Sequence, residues 1–229
     1  VIARQGTSDQ MTAIVTGATS GIGRAVALKL SNLGWRVVAI ARREESLKQL
    51  AAEAPGIDPR PADLTIFPYP DLIPDSVDAV VHAAGIVPTG SVEKATPQEW
   101  HSAFALNVTA GAELVRQSLT KLRERQGTVV FVNSGAGVTP LPRNTLYGAT
   151  KHALRALANG LRQDEEDHGV RVTSVFPGPT DTPLFTGDVD RSQLIQPETV
   201  ARAIVDAITT TGDTQLTEIH VRPRRELSW

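Results

Sequence analysis

The chain has 229 residues, with 23 Lys and Arg against 25 Asp and Glu for a formal net charge of −2, and no cysteine. That length is enough for one domain with a sizeable core. The charge balance argues against a nucleic-acid or membrane-surface role, and the lack of thiols excludes disulfides and thiolate chemistry.

No apolar run approaches the roughly 20 residues that span a bilayer, and no signal-peptide pattern opens the chain, so the expectation is a cytoplasmic protein. Val1–Gln10 is polar and aperiodic, and Met11 is the single methionine. Residues 1–10 are therefore expected to be an added or disordered tail before a native start at Met11, with residues 11–229 forming one domain. Thr12–Thr16 reads as a short strand. It leads into the turn Thr16-Gly17-Ala18-Thr19-Ser20-Gly21-Ile22-Gly23 and a helix over Gly21–Leu33, where Val26, Leu30 and Leu33 keep helical spacing and Gly34 is a stop. Strand, glycine turn and helix in that order let backbone approach a pyrophosphate and offer it helix N–H donors. The next strand, Arg36–Ala41, ends without an acid and runs into Arg42 and Arg43. A helix over Glu44–Glu53 and a weaker strand near Ile57–Arg60 follow. Pro68, Pro70 and Pro74 then disfavour a helix before His82, which predicts a loop there and one sheet face less covered.

The second half continues with a strand over Ala79–His82 and a helix over Pro97–Arg123. Thr96-Pro97-Gln98-Glu99 opens that helix as a capping box with proline at the first helical position. A strand over Thr128–Asn133, a helix over Thr145–His168, a strand over Arg171–Phe176, a helix over Pro197–Thr209 and a strand over Thr217–Val221 complete the chain. Strands alternating with helices predict an α/β fold, a doubly wound and mostly parallel sheet of about seven strands. At the head of the Thr145–His168 helix, Tyr147 and Lys151 stand one turn apart on one face. A neighbouring ammonium favours phenolate, so the tyrosine is expected to titrate below its usual value of about 10 and to serve as a general acid/base.

These features, taken together, resemble the short-chain dehydrogenases/reductases, in the branch with a Ser–Tyr–Lys active site. The TGxxxGIG loop is Thr16 to Gly23; the segment after the fourth strand is His82-Ala83-Ala84-Gly85; the helix asparagine is Asn107; the serine is Ser134; YxxxK is Tyr147 and Lys151; and the PG segment is Pro177-Gly178-Pro179-Thr180-Asp181-Thr182. The resemblance runs in family order from about Met11 to Pro223. It implies a single-domain Rossmann fold and hydride transfer between a nicotinamide and a carbonyl or alcohol. By that resemblance Tyr147 exchanges the substrate proton, Lys151 holds the nicotinamide ribose and lowers the tyrosine pKa, Ser134 holds the substrate oxygen, and Asn107 positions a water behind Lys151.

The resemblance also implies the cofactor contacts. Gly17, Thr19, Ser20, Gly21, Ile22 and Gly23 would cradle the diphosphate. Asp63 and Leu64 would meet the adenine, Ala83, Ala84 and Gly85 the adenosine side, and Pro177, Gly178, Thr180 and Thr182 the carboxamide. A carboxylate ending the second strand would bond a ribose 2′-hydroxyl, whereas Arg42 and Arg43 offer charge to a 2′-phosphate. NADP(H) is therefore favoured, with NAD(H) as the other candidate, although Ser20 is basic in some NADP-preferring relatives and is not basic here. For Asp63 a loop-end cap competes with the adenine contact. His82 stands where the family has asparagine, and a lone His at a strand end is more often structural.

No metal site is expected, because the run Asp164-Glu165-Glu166-Asp167-His168 scatters its side chains around a helix end. Arg222-Pro223-Arg224-Arg225 reads as plain surface charge on a terminal tail. Ala149, Ala153, Ala156 and Gly160 form a small-residue stripe; with the 97–123 helix it resembles the family's dimer-forming pair and implies a homodimer or homotetramer through the 97–123 and 145–168 helices. Packing of the stripe against the sheet is the competing reading. The stretch from Leu184 to Gln196 is short, which suggests an open site. The expected function is an NADP-dependent oxidoreductase of a small carbonyl or alcohol substrate. The other readings are a non-catalytic NADP-binding sensor or scaffold of the same fold, and a reductase of a carrier-tethered acyl group.

Overall fold

Seven short runs, most of them rich in Val, Ile and Thr, pair into one sheet of order β3-β2-β1-β4-β5-β6-β7, with every neighbouring pair parallel. The strands are β1 (Thr12–Thr16), β2 (Arg36–Ala41), β3 (Ile57–Pro61), β4 (Ala79–His82), β5 (Thr128–Val132), β6 (Arg171–Pro177) and β7 (Glu218–Val221). The helices are α1 (Gly21–Asn32), α2 (Glu44–Glu53), α3 (Pro97–Phe104), α4 (Ala110–Arg125), α5 (Thr145–Asp164) and α6 (Pro197–Ile208). This computed structural model describes residues 10–69, 71–88, 90–187 and 190–225. The expected tail therefore lies outside the described residues except for Gln10, whose amide donates to the Gly34 carbonyl at 3.0 Å.

β1, β4 and β5 are buried along their whole length because helices cover both faces. Side chains alternate between two cores, as the strand period of two requires. Val15, Val37, Val81 and Val130 pack with Leu30 of α1, Leu47 of α2 and Ile204 of α6. Ile14, Val38, Val80 and Phe131 pack with Leu114 of α4 and Leu154 of α5 on the other side. The strand order reverses between β1 and β4, so the crevice at the carboxyl ends of those strands is where such a sheet receives a ligand.

Two expectations change. The Pro97–Arg123 helix is interrupted: its capping box forms as expected, but one π turn, Ala105–Thr109, separates α3 from α4. The stretch between β3 and β4 is a loop, as the prolines dictate, but it does not leave the sheet bare. Leu64, Tyr69, Leu72 and Val77 turn inward and join the second core. The Tyr69 hydroxyl donates to the Leu64 carbonyl and its backbone N–H donates to Gln117 on α4. A few well-placed apolar side chains replace a helix here, because burial depends on area covered rather than on secondary structure.

Candidate active site

The cleft begins at the β1–α1 turn. Gly17 has φ +64°, and a Cβ there would stand 3.0 Å from the backbone of Ala83 and Ala84. A Cβ on Gly23 would lie 2.5 Å from the Gly17 carbonyl oxygen, and one on Gly21 (φ +51°) 2.9 Å from Thr182 Cγ2. The absence of side chains thus brings three segments together around the start of α1. That helix has no acid in its first turn and no side-chain cap, so its N–H groups and dipole are left for an anion. This is the fit a dinucleotide diphosphate requires.

Behind the turn lies a buried polar knot. Thr16 Oγ1 accepts from the backbone N–H groups of Ala83 and Ala84, both at 3.0 Å. A hydroxyl has one proton and two lone pairs, so that proton is left for His82 Nδ1, 3.2 Å away. His82 is thus an acceptor at Nδ1 and carries its own proton on Nε2. Burial, with a smaller contribution from Lys151, pushes its pKa down to about 4. Its ring edge lies against Gly111, where a Cβ would be 2.9 Å from Cδ2. Nε2 feels the Leu106 carbonyl of the π turn without reaching hydrogen-bond geometry. His82 is structural, as its place at a strand end suggested.

Asn107, on the same π turn, is fully buried. Its Oδ1 accepts from Ile86 N–H at 2.8 Å, and its Nδ2 donates to the Ile86 carbonyl at 3.0 Å and to Thr150 Oγ1 at 3.1 Å. The side chain thus ties the segment after β4 to α5, and it does not line the cleft. The other residues expected at the site, from Gly17 to Thr182, all line one cleft of about 1060 Å³. Arg42 and Arg43 are exposed on its rim. Asp63 Oδ1 accepts from Thr65 N–H and Oγ1 at 2.9 and 2.7 Å, which forms the loop-end cap, and Asp63 also lines the cleft.

Ser134, Tyr147 and Lys151 hang on β5 and α5. Ser134 follows β5 in extended conformation and its Oγ accepts from Ala136 N–H at 3.2 Å. Both Ser134 and Tyr147 line the cleft, and Ser134 is near enough to act on the Tyr147 hydroxyl's titration. Lys151 is buried, donates from Nζ to the Val132 carbonyl at 2.9 Å, and lies 5.7 Å from the centroid of the Tyr147 ring. Asn133, which the sequence marked only as a strand end, braces the cluster. It donates from Nδ2 to the Lys151 carbonyl at 3.1 Å and accepts from Ser134 N–H at 2.9 Å. Gly137 makes this possible, since a Cβ there would lie 2.5 Å from Asn133 Oδ1.

The expected lowering of the tyrosine pKa is not what this arrangement produces. Burial pushes Tyr147 up, with the neighbouring Ser134 acting the other way. Burial also draws Lys151 down to about 8. The ammonium bonds the Val132 carbonyl and sits 5.7 Å from the ring centroid, and both charged forms lose solvation. The acidic run does not gather ligands: Glu165 is buried and paired with Arg123 at 2.8 Å, and among the described residues no three His, Asp or Glu converge on a metal position. Arg222 departs from its reading as plain surface, because it lines the cleft.

Residues 11–192 match the family model described as short chain dehydrogenase. The chain belongs to the short-chain dehydrogenase family. It is therefore an oxidoreductase. This dehydrogenase is 32% identical over 225 residues to an uncharacterized short-chain type dehydrogenase/reductase of Sinorhizobium fredii, covering 92% of this chain and 90% of that one. Its fold is that of the alcohol dehydrogenase of Thermococcus sibiricus complexed with 5-hydroxy-NADP, at TM-score 0.86 and 22% identity over 96% of this chain and 100% of the other. It also matches the 3-ketoacyl-(acyl-carrier-protein) reductase of Brucella melitensis complexed with NADH, at TM-score 0.85 and 21% identity over 96% and 100%. Among the described residues of this dehydrogenase, no helix is long and apolar enough to cross a membrane.

Proposed function

We propose that this dehydrogenase is an NADP(H)-dependent carbonyl reductase or alcohol dehydrogenase in which Tyr147 is the general acid/base. The observation that carries the reading is that Ser134, Tyr147 and Lys151 line the same cleft as the glycine cradle, with Lys151 Nζ 5.7 Å from the Tyr147 ring centroid. The glycine turn and the α1 N-terminus would hold the cofactor diphosphate, and Lys151 the ribose. When bound, the cofactor supplies or accepts the hydride. Ser134 Oγ orients the substrate oxygen, and the Tyr147 hydroxyl gives it a proton in reduction or takes one in oxidation. Lys151, buried without a carboxylate partner, keeps donors for the ribose and favours the tyrosinate once a cofactor orders the site. The apolar cleft wall excludes water from the reacting carbon.

Arg42 and Arg43 favour NADP(H). Both line the cleft beyond β2, and β2 itself ends without an acid. Asp63, the carboxylate among the described cleft residues, caps Thr65 through Oδ1, and those bonds, with the nearby Arg42 guanidinium adding to them, hold its pKa down. Known folds of this kind with either NADP or NADH leave the preference to these residues. We also read the α4–α5 face as a subunit interface. Supporting this, Ala156 and Gly160 are exposed and nothing lies within 4 Å of a Cβ built on Gly160, while Ala149 and Ala153 are half-buried.

The test is turnover of a panel of aldehydes and ketones with NADPH by the native chain and by Tyr147→Phe. The variant should lose about 10²–10⁴-fold in kcat while its NADPH dissociation constant stays within about threefold. A variant that turned over at the native rate would refute the assignment. A native chain that bound cofactor but reduced nothing would favour a sensor or scaffold.

A further inference from the structure

Arg222 enters the cleft from a strand that the sequence left without a role. It lies between Val221, the last residue of β7, and Pro223. The Gly178 N–H donates to the Val221 carbonyl at 2.8 Å, and Pro223 packs so closely on Gly178 that a Cβ there would lie 3.0 Å from Pro223 Cδ. A following proline also restricts Arg222 to extended backbone. The base of the side chain is thus held against the carboxyl end of β6. Its guanidinium reaches across to β5: a Cβ on Gly135 would stand 3.2 Å from Nη1. Gly135 follows Ser134, and adjacent Cα atoms are about 3.8 Å apart.

The strand order separates this charge from Arg42 and Arg43, while Lys151 Nζ is held on the Val132 carbonyl. Arg42 and Arg43 belong to the far end, beyond β2. The one carboxylate among the described cleft residues, Asp63, lies after β3 and accepts from Thr65. The cleft lining includes the apolar side chains Val87, Leu106, Pro140, Leu141 and Phe185, interspersed with Ser102, Thr139 and Thr186. Arg222 interacts within the chain, so an incoming anion would share or take over that guanidinium.

We propose that Arg222 is an anion subsite for the substrate, and that this dehydrogenase takes oxo acids or hydroxy acids whose carboxylate lies a few bonds from the reacting carbon, with an apolar remainder against the Leu106–Phe185 wall. The proposal deepens the oxidoreductase reading and rests on it for the word substrate. A guanidinium fork matches a carboxylate in two parallel hydrogen bonds. A cation one residue from the substrate-oxygen position would also favour acids over esters of the same shape.

The experiment compares short-chain 2-oxo and 3-oxo acids with their methyl esters, using NADPH, in the native chain and in Arg222→Gln and Arg222→Lys. The native enzyme should prefer at least one acid over its ester. Arg222→Gln should lose about 10- to 100-fold in kcat/KM on that acid, mainly through KM, and much less on the ester. Arg222→Lys should recover part of the loss. A native enzyme that reduces esters and acids equally would overturn the proposal, as would a variant that loses equally on both or loses NADPH affinity instead. A second arm titrates hexanoate and hexanamide into cofactor-free protein. Hexanoate should bind the native chain more tightly than hexanamide and lose that advantage in Arg222→Gln. If the native chain turns over nothing but shows this binding, the subsite stands and the carbonyl-reductase reading falls. If hexanoate binds both proteins alike, the subsite falls.

Discussion

Tyr147 shows how far a residue pair read from spacing can be trusted. The i, i+4 relation placed Tyr147 and Lys151 on one helix face, but burial decided the sign of the tyrosine shift. His82 is the sharper case. Its folded pKa of about 4 lies below the ordinary His value of about 6.5, so the unfolded chain binds this proton more readily than the folded one. Stability from the neutral imidazole is fully present above pH 6.5 and is lost as pH falls from there toward 4. The total is about 3 kcal/mol at 1.36 kcal/mol per unit. Glu165 and Glu218, whose pKa values are lowered by arginine partners, keep their contributions until lower pH. Denaturant titrations at pH 7, 6 and 5 should therefore show native stability falling already above pH 5, with a flatter profile for His82→Asn. Equal slopes in the two proteins would show that His82 is not the buried neutral ring described here.

At the scale of elements, most of the architecture was legible. β1, β2, β4, α2 and the start of α3 fall where alternation, glycine stops and the Thr96–Glu99 capping box put them. These signals are local: a period of two, a period of 3.6, or a side chain that can reach its own backbone. The π turn was not legible in Ala105–Thr109, because its role depends on a partner after β4, the Ile86 backbone. Nor did the prolines of the β3–β4 loop reveal that Leu64, Tyr69 and Leu72 would close the sheet. The end of β2 carries a functional prediction of its own. Arg42→Ala should weaken NADPH binding about tenfold or more and NADH binding by less than about threefold, since only one cofactor brings a second phosphate charge to that rim. Side-by-side fluorescence titrations would measure this, and equal losses would remove the 2′-phosphate assignment.

For the whole molecule, one buried carboxylate joins the parts. Asp78 accepts from Thr12 N–H at 2.9 Å through Oδ2 and from Arg125 Nε at 2.8 Å through Oδ1, linking β1, the entry to β4 and the end of α4. Its side chain is 2% exposed, so Asp78→Ala would strand a backbone donor and a partly buried guanidinium. A loss of about 3–5 kcal/mol is expected in urea unfolding, and a loss under about 1 kcal/mol would contradict this role. The proposed α4–α5 subunit face makes a separate prediction. Gly160→Arg meets open space within the chain and replaces a poor helix former, so it should leave the monomer folded or stabilise it by up to about 1 kcal/mol. In sedimentation the variant should nevertheless be smaller than the native protein. An unchanged sedimentation coefficient for an oligomeric native chain would move the interface elsewhere.

By itself the sequence determined most of the order of strands and helices, the glycine turn and the Tyr147–Lys151 pair on one helix face, because each rests on contacts between near neighbours or on backbone that only glycine permits. Ser134 joined that pair only through the family resemblance. The tertiary structure alone decided which way Tyr147 titrates, which nitrogen of His82 carries the proton, what Asn107 and Asp63 bond, and that Arg222 lies beside Gly135. Each of these depends on desolvation or on partners from distant parts of the chain. The parallel sheet sets such partners side by side through its strand order, which no local run of residues encodes.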